Sequence, residues 1–110
     1  MTGEEIEKYI QKKLKRNDQV LKINGKNLGD EGVAHLARSP LLRTVSNLIL
    51  YKGNFGDEGV RALAESKHLG QLTGLYLENN NITDKGVRYI TRSKSLPNLK
   101  TLNLYHNRIT

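Results

Sequence analysis

The sequence predicts an α/β solenoid in which short parallel strands line one side, helices line the other, and nearly identical units are stacked in a row. Three observations predict it. NLGDEGVAHL begins at Asn27, NFGDEGVRAL at Asn54 and NITDKGVRYI at Asn81, a spacing of 27 residues that never slips. A fixed period of this size marks one supersecondary unit repeated along the chain. In the same register, VSNLILYKGNF from Val45, LTGLYLENNNI from Leu72 and LKTLNLYHNRI from Leu99 are variants of L-x-x-L-x-L-x-x-N-x-L, and the L-x-L alternation is that of a short strand with one buried face. Beyond each strand, residues at i, i+3 and i+4 form one helical stripe: Val33, Leu36 and Ala37, then Val60, Leu63 and Ala64, then Val87 and Ile90 with Thr91.

The first element, a helix over 3–16, is not a repeat. Thr2 and Glu5 have capping-box spacing, Ile6, Tyr9, Ile10 and Leu14 form an apolar stripe, and Lys12, Lys13, Lys15 and Arg16 make a basic exit. Residues 1–17 read as an N-terminal cap, because a solenoid's end would otherwise expose the face that interior repeats bury. Glu4, Glu5 and Glu7 on the same helix argue against a nucleic-acid or membrane handle. Residues 18–110 then hold about three and a half units of the same single domain. Strands are expected near 20–24, 47–51, 74–78 and 101–105, and helices near 30–38, 57–65 and 84–93. Asp30, Asp57 and Asp84 are expected to cap the first turn of the helix that follows each of them. Gly32, Gly59 and Gly86 stand in that first turn, where glycine costs about 1 kcal/mol against alanine. They point to close packing of helix against strand loop rather than to a phosphate cradle. The expected core is Leu21, Ile23, Leu28, Leu36, Leu48, Leu50, Phe55, Leu63, Leu75, Leu77, Ile82, Ile90, Leu102 and Leu104.

On these repeats the chain resembles the leucine-rich-repeat proteins, of the ribonuclease-inhibitor-like subclass with a helical convex side. The resemblance covers roughly residues 18–110 and implies a curved solenoid whose parallel strands line the concave side. It also implies an inward asparagine in each turn, bonding the loop backbone of adjacent repeats. Asn80 and Asn107 match it, whereas Lys26 and Gly53 stand at that place in the earlier copies. The ladder is therefore expected only in the second half, with looser turns in the first.

Charge and composition narrow the function. The chain of 110 residues has no Cys, so disulfides, thiolate metal sites and cysteine nucleophiles are absent. No apolar leader or membrane-length run is present, which makes a cytoplasmic protein the default, with secretion by another route left open. The net charge of +7 divides as +2 over residues 1–17, +1, 0 and +2 over the units from Asp18, Val45 and Leu72, and +2 beyond. Binned in this way the excess is diffuse, and a dedicated phosphate-binding stripe is not expected. His35, His68 and His106 are scattered by the repeat, the Asp residues stand one per unit, and no triad, metal site or cofactor motif can be assembled. No enzyme activity and no cofactor are expected.

Function is then sought at the outward strand positions. Lys22, Ile49, Tyr76 and Asn103 stand between the paired leucines, and Asn24, Tyr51, Glu78 and Tyr105 one step beyond. Strands about 4.8 Å apart allow Tyr51, Tyr76 and Tyr105 to form one patch with Ile49 and Glu78, rimmed by Lys52, Asn79 and His106. Tyrosines with one polar end are common interface anchors, although they also suit plain cross-strand packing. The leading expectation is a non-catalytic module that binds a protein partner, of identity not given by the sequence, on the concave face. The alternative is a nucleic-acid binder using Arg38, Arg61, Arg88 and Arg92 on the helical side. A last expectation concerns Thr110, the counterpart of Thr83: the strand at Thr101–Tyr105 presents an open edge. A homodimer with antiparallel pairing of these strands would cover it, as would further repeats of a longer array.

Overall fold

The computed structural model describes residues 1–110. In chain order the elements are α1 (Gly3–Leu14), β1 (Val20–Lys22), α2 (Gly29–Ala37), a 3₁₀ turn (Pro40–Thr44), β2 (Asn47–Ile49), α3 (Asp57–Ala64), β3 (Gly74–Tyr76), α4 (Asp84–Thr91) and β4 (Thr101–Asn103). The strands form one parallel sheet in the order β1-β2-β3-β4. Each residue pairs with the one a full unit later, as in Leu21, Leu48, Leu75 and Leu102. The fold is thus a leucine-rich-repeat solenoid, with its core between the sheet and the row of helices. No helix is long and apolar enough to cross a membrane.

The strands start where the sequence predicts but are three residues long rather than five. Their neighbours remain bonded beyond the strand ends, through Ile23 N–H to Ile49 O at 2.9 Å and Leu50 N–H to Tyr76 O at 2.8 Å. Regular pleating stops because the chain turns at Gly25, Lys52, Asn79 and His106, one per unit, each held at a φ of 54 to 65°. Twelve of the fourteen expected core residues are buried. Leu102 and Leu104 are only half-buried, because β4 has a neighbouring strand on one side alone.

α1 ends at Leu14, two residues earlier than the sequence suggests. Its capping box is made: Thr2 Oγ1 accepts from Glu5 N–H at 3.1 Å and Glu5 Oε1 accepts from Thr2 N–H at 2.8 Å. Ile6 and Ile10 are fully buried, and α1 packs on α2 and β1.

The capping aspartates do not cap their own helices. Asp30 Oδ1 accepts from Gly56 and Gly59 N–H at 2.8 and 2.9 Å, so it caps α3, one repeat on. Asp57 likewise accepts from Thr83 and Gly86 N–H at the start of α4, and from the Thr83 hydroxyl. Asp84 reaches Thr110 N–H at 3.1 Å. The other helix ends are closed from the opposite direction. Ser66 Oγ donates to Ala37 O at the end of α2, and Ser93 Oγ donates to Ala64 O at the end of α3. Ser39, their counterpart, donates to Glu7 of α1 and accepts from Leu41 N–H, which opens the 3₁₀ turn at Pro40 that the helical period gave no reason to expect.

The asparagine ladder occupies the second half. Asn80 Oδ1 accepts from Gly53 N–H at 2.8 Å while its Nδ2 donates to Leu50 O and Leu77 O. Asn107 repeats this toward Asn80 and Ile82 N–H, and toward Leu77 O and Leu104 O. The first loop has no such side chain and stays exposed over residues 24–27.

The first-turn glycines are buried, and each faces the loop side chain that precedes its helix, Leu28, Phe55 or Ile82, with the carboxylate of the preceding repeat added at Gly59 and Gly86. A Cβ on Gly59 would lie 3.0 Å from Asp30 Oδ1 and 3.1 Å from the Phe55 ring; one on Gly86 would lie 2.6 Å from Asp57 Oδ1 and 2.7 Å from Ile82 Cγ2. Two expectations follow from this geometry. In urea melts Gly86→Ala should lose about 1–2 kcal/mol, because overpacking of 1–3 kcal/mol exceeds the roughly 1 kcal/mol gained in helix propensity. Gly59→Ala should fall closer to neutral, and the reverse order would overturn the explanation.

The second expectation concerns acid. Burial pushes the Asp57 carboxyl up, but the Thr83 hydroxyl, the Thr83 and Gly86 N–H groups and nearby Lys85 outweigh it and hold the group below its ordinary value. The resulting stabilisation is complete above the unfolded value of about 3.9 and is lost as pH falls through the lower folded value. Asp57→Asn should cost about 1 kcal/mol at neutral pH, as loss of a cap does. The gap in melting temperature should shrink below about pH 4, and a gap unchanged under strong acid would show that the charge plays no part.

Candidate functional site

The outward strand residues form two rows. Lys22, Ile49, Tyr76 and Asn103 lie side by side in exact sheet register. In the next row, Tyr51, Glu78 and Tyr105 are aligned by ladder bonds from Gly25 N–H to Tyr51 O, Lys52 N–H to Glu78 O and Asn79 N–H to Tyr105 O. Asn24 continues this row on the first strand's side.

The three tyrosines sit differently. Tyr51 and Tyr105 are 39% and 69% exposed, so both present rings to solvent. Tyr76 is half-buried. Its ring folds back along its own strand, with Cε2 2.9 Å and the hydroxyl 3.1 Å from where Gly74 would carry a Cβ. The absent side chain of Gly74 makes that position, and the ring leans away from the row that holds Tyr51 and Tyr105. No tyrosine ring touches another; Tyr105 instead meets His106 edge-on, with centroids 4.2 Å apart and planes at 66°.

Glu78 is the polar centre of the second row, between two exposed rings. It is half-buried, and its Oε1 is shielded from solvent with no hydrogen-bond partner. A carboxylate oxygen in that state is costly to leave unsatisfied. Ile49 is half-buried beside Tyr76 in the register, and Lys52, Asn79 and His106 occupy the left-handed turns at the strand ends. Beyond Lys52 and Asn79 lies a polar hollow of about 450 Å³, lined also by Gly25, Asn27, Asn54, Asn80 and Asn81.

The helical face differs from one repeat to the next. Arg61 is drawn into ion pairs with Glu58 at 3.6 Å and Glu65 at 3.5 Å, and Glu65, then Tyr89 and Glu58 raise its pKa further. Arg38 Nη2 lies 3.1 Å from His35 Nδ1. Arg88 and Arg92 have no ion-pair partner. The histidines stay apart, and no three His, Cys, Asp or Glu side chains come close enough to hold a metal.

A family model described as Leucine Rich repeat matches residues 72–90 and 95–110. No curated protein matches the chain. The matched segments hold β3, most of α4, β4 and both ladder asparagines, whereas the earlier copies, which carry Lys26 and Gly53 instead, fall outside the match. With the unbroken period and the parallel sheet, this match supports a leucine-rich-repeat protein.

Proposed function

We propose that the chain is a non-catalytic interaction module that grips a protein partner on its strand face, as leucine-rich-repeat domains generally mediate protein–protein contacts. The observation that carries this reading is Glu78, a half-buried carboxylate with an unpartnered Oε1, in the row between the exposed residues Tyr51 and Tyr105. With its side chain turned outward, the Glu78 carboxylate would meet a donor on a partner, and the two rings would bury apolar area on either side of it. The concave-face reading rests on these side chains together with Ile49, Tyr76, Lys52 and His106. Assignment to the ribonuclease-inhibitor-like subclass is supported by the eight or nine residues of α-helix in each unit.

The test is a pull-down with the intact chain, with a Tyr51→Ala, Tyr76→Ala, Tyr105→Ala variant and with Glu78→Gln, each checked for native melting. Anchor residues of an interface cost more than about 2 kcal/mol when truncated, so any partner held through this face should be lost from the triple variant. Because the ring of Tyr76 turns away, Tyr51→Ala and Tyr105→Ala together should reproduce most of that loss. A partner retained in full by the triple variant would refute the strand-face reading.

A further inference from the structure

The strand face leaves a second feature unexplained, on the opposite side of the molecule. A groove of about 540 Å³ runs from the C-terminal end of α3 along α4, lined by Lys85, Arg88 and Tyr89 of α4 and by Arg92 just past its end, with Lys94 and Glu65 also in the lining. The α4 residues stand at i, i+3, i+4 and i+7, so they form one stripe. None of the four cations makes an ion pair, and the acid nearest at hand, Glu65, is engaged by Arg61.

The repeat supplies an internal control. At the same four stripe positions α3 carries Glu58, Arg61, Ala62 and Glu65, and its two acids close on its arginine. In α4 both acids have become cations, Lys85 and Arg92, so the stripe changes from one net negative charge to three net positive ones. Like charges at i, i+3 and i, i+4 repel and destabilise a helix. The helix dipole accounts for Arg88 and Arg92 near the C-terminus but disfavours Lys85 in the first turn. The surplus extends beyond the helix: residues 85–110 contain Lys85, Arg88, Arg92, Lys94, Lys100 and Arg108 and no Asp or Glu.

The shape of the stripe selects among anions. From Lys85 to Arg92 it spans roughly 10 Å of helix, more than a single phosphate group covers. An extended peptide crosses that distance in about three residues and presents alternate side chains to the same side. A nucleic-acid strand fits less well. Base stacking needs a free aromatic face, and the Tyr89 ring already has Arg61 at 5.8 Å and Lys85 at 6.0 Å from its centroid. The basic stripe also ends at α4, because Arg61 next door is paired.

We propose that the groove between α3 and α4 is a second binding site, which takes an acidic, extended segment of a protein partner with its carboxylates on Lys85, Arg88 and Arg92. This site is independent of the strand face. The experiment is a calorimetric titration of the intact chain with hexaglutamate at low salt. It is repeated with Lys85→Glu, Arg92→Glu, which restores the pattern that α3 carries, and with Lys12→Glu, Arg16→Glu, which changes net charge equally at the remote end of α1 and just beyond it. The α4 variant should bind at least about tenfold more weakly, and the α1 variant should stay close to the native chain. Lys85→Gln, Arg92→Gln replaces the first variant if circular dichroism shows a loss of fold. Equal weakening in both charge variants, no binding by the native chain at millimolar peptide, or tighter binding of oligothymidylate in competition would each overturn the proposal.

Discussion

Helices of eight or nine residues leave about half of their backbone groups without a partner inside the helix, and this chain satisfies several of them across the repeat boundary. Asp30 and Asp57 serve the helix starts of the next unit, and Ser66 and Ser93 serve the helix ends of the previous one. Such short helices are marginal alone, so their stability is a property of pairs of units. The constancy of the period follows. One inserted residue would move an aspartate off the N–H groups it serves, shift the strand register and break the asparagine contacts of Asn80 and Asn107 together. Gly59 and Gly86 belong to the same arrangement, because they leave room for the incoming carboxylate.

With most inward and boundary positions committed to this network, the variation that changes exposed chemistry lies on two surfaces. On the strand face, Lys22, Ile49, Tyr76 and Asn103 share a register position but not a chemistry, and so do Asn24, Tyr51, Glu78 and Tyr105. On the helical face, the stripe passes from Glu58 and Glu65 to Lys85 and Arg92 while its geometry stays the same. The side chains proposed for recognition are therefore departures of the molecule from its own repeat.

Features that depend on periodicity were legible in the sequence, and features that depend on a neighbour were not. The strand starts at Val20, Asn47, Gly74 and Thr101 and the buried stripes could be read directly. Asp30, Asp57 and Asp84 were recognisable as caps by type, but sequence proximity points to the adjacent helix, whereas the solenoid brings the next one to the carboxylate. The 3₁₀ turn at Pro40 depends on Ser39, whose hydroxyl has one partner on α1 and another in the turn itself. Strand alternation sets Tyr51, Tyr76 and Tyr105 at outward positions, yet the direction of the Tyr76 ring depends on the space above Gly74. Charge counted by whole units is diffuse because Glu78 and Asp84 belong to the same unit as the α4 cations, yet neither lines the groove, whose one acid is Glu65.

The cross-boundary caps also bear on how such an array grows. The junction between the first and second units and the one between the second and third share the same pair, an aspartate offered forward and a serine offered backward, so their capping is chemically alike. Excising or duplicating a whole unit by recombination would join one junction to an equivalent one and leave no helix end without its partner. A cut elsewhere in frame but out of period would orphan several polar groups at once. The same hydrogen bonds that bind neighbouring units together thus make the unit itself the exchangeable piece, and allow a new surface to arise by copying a scaffold and then changing a few outward side chains.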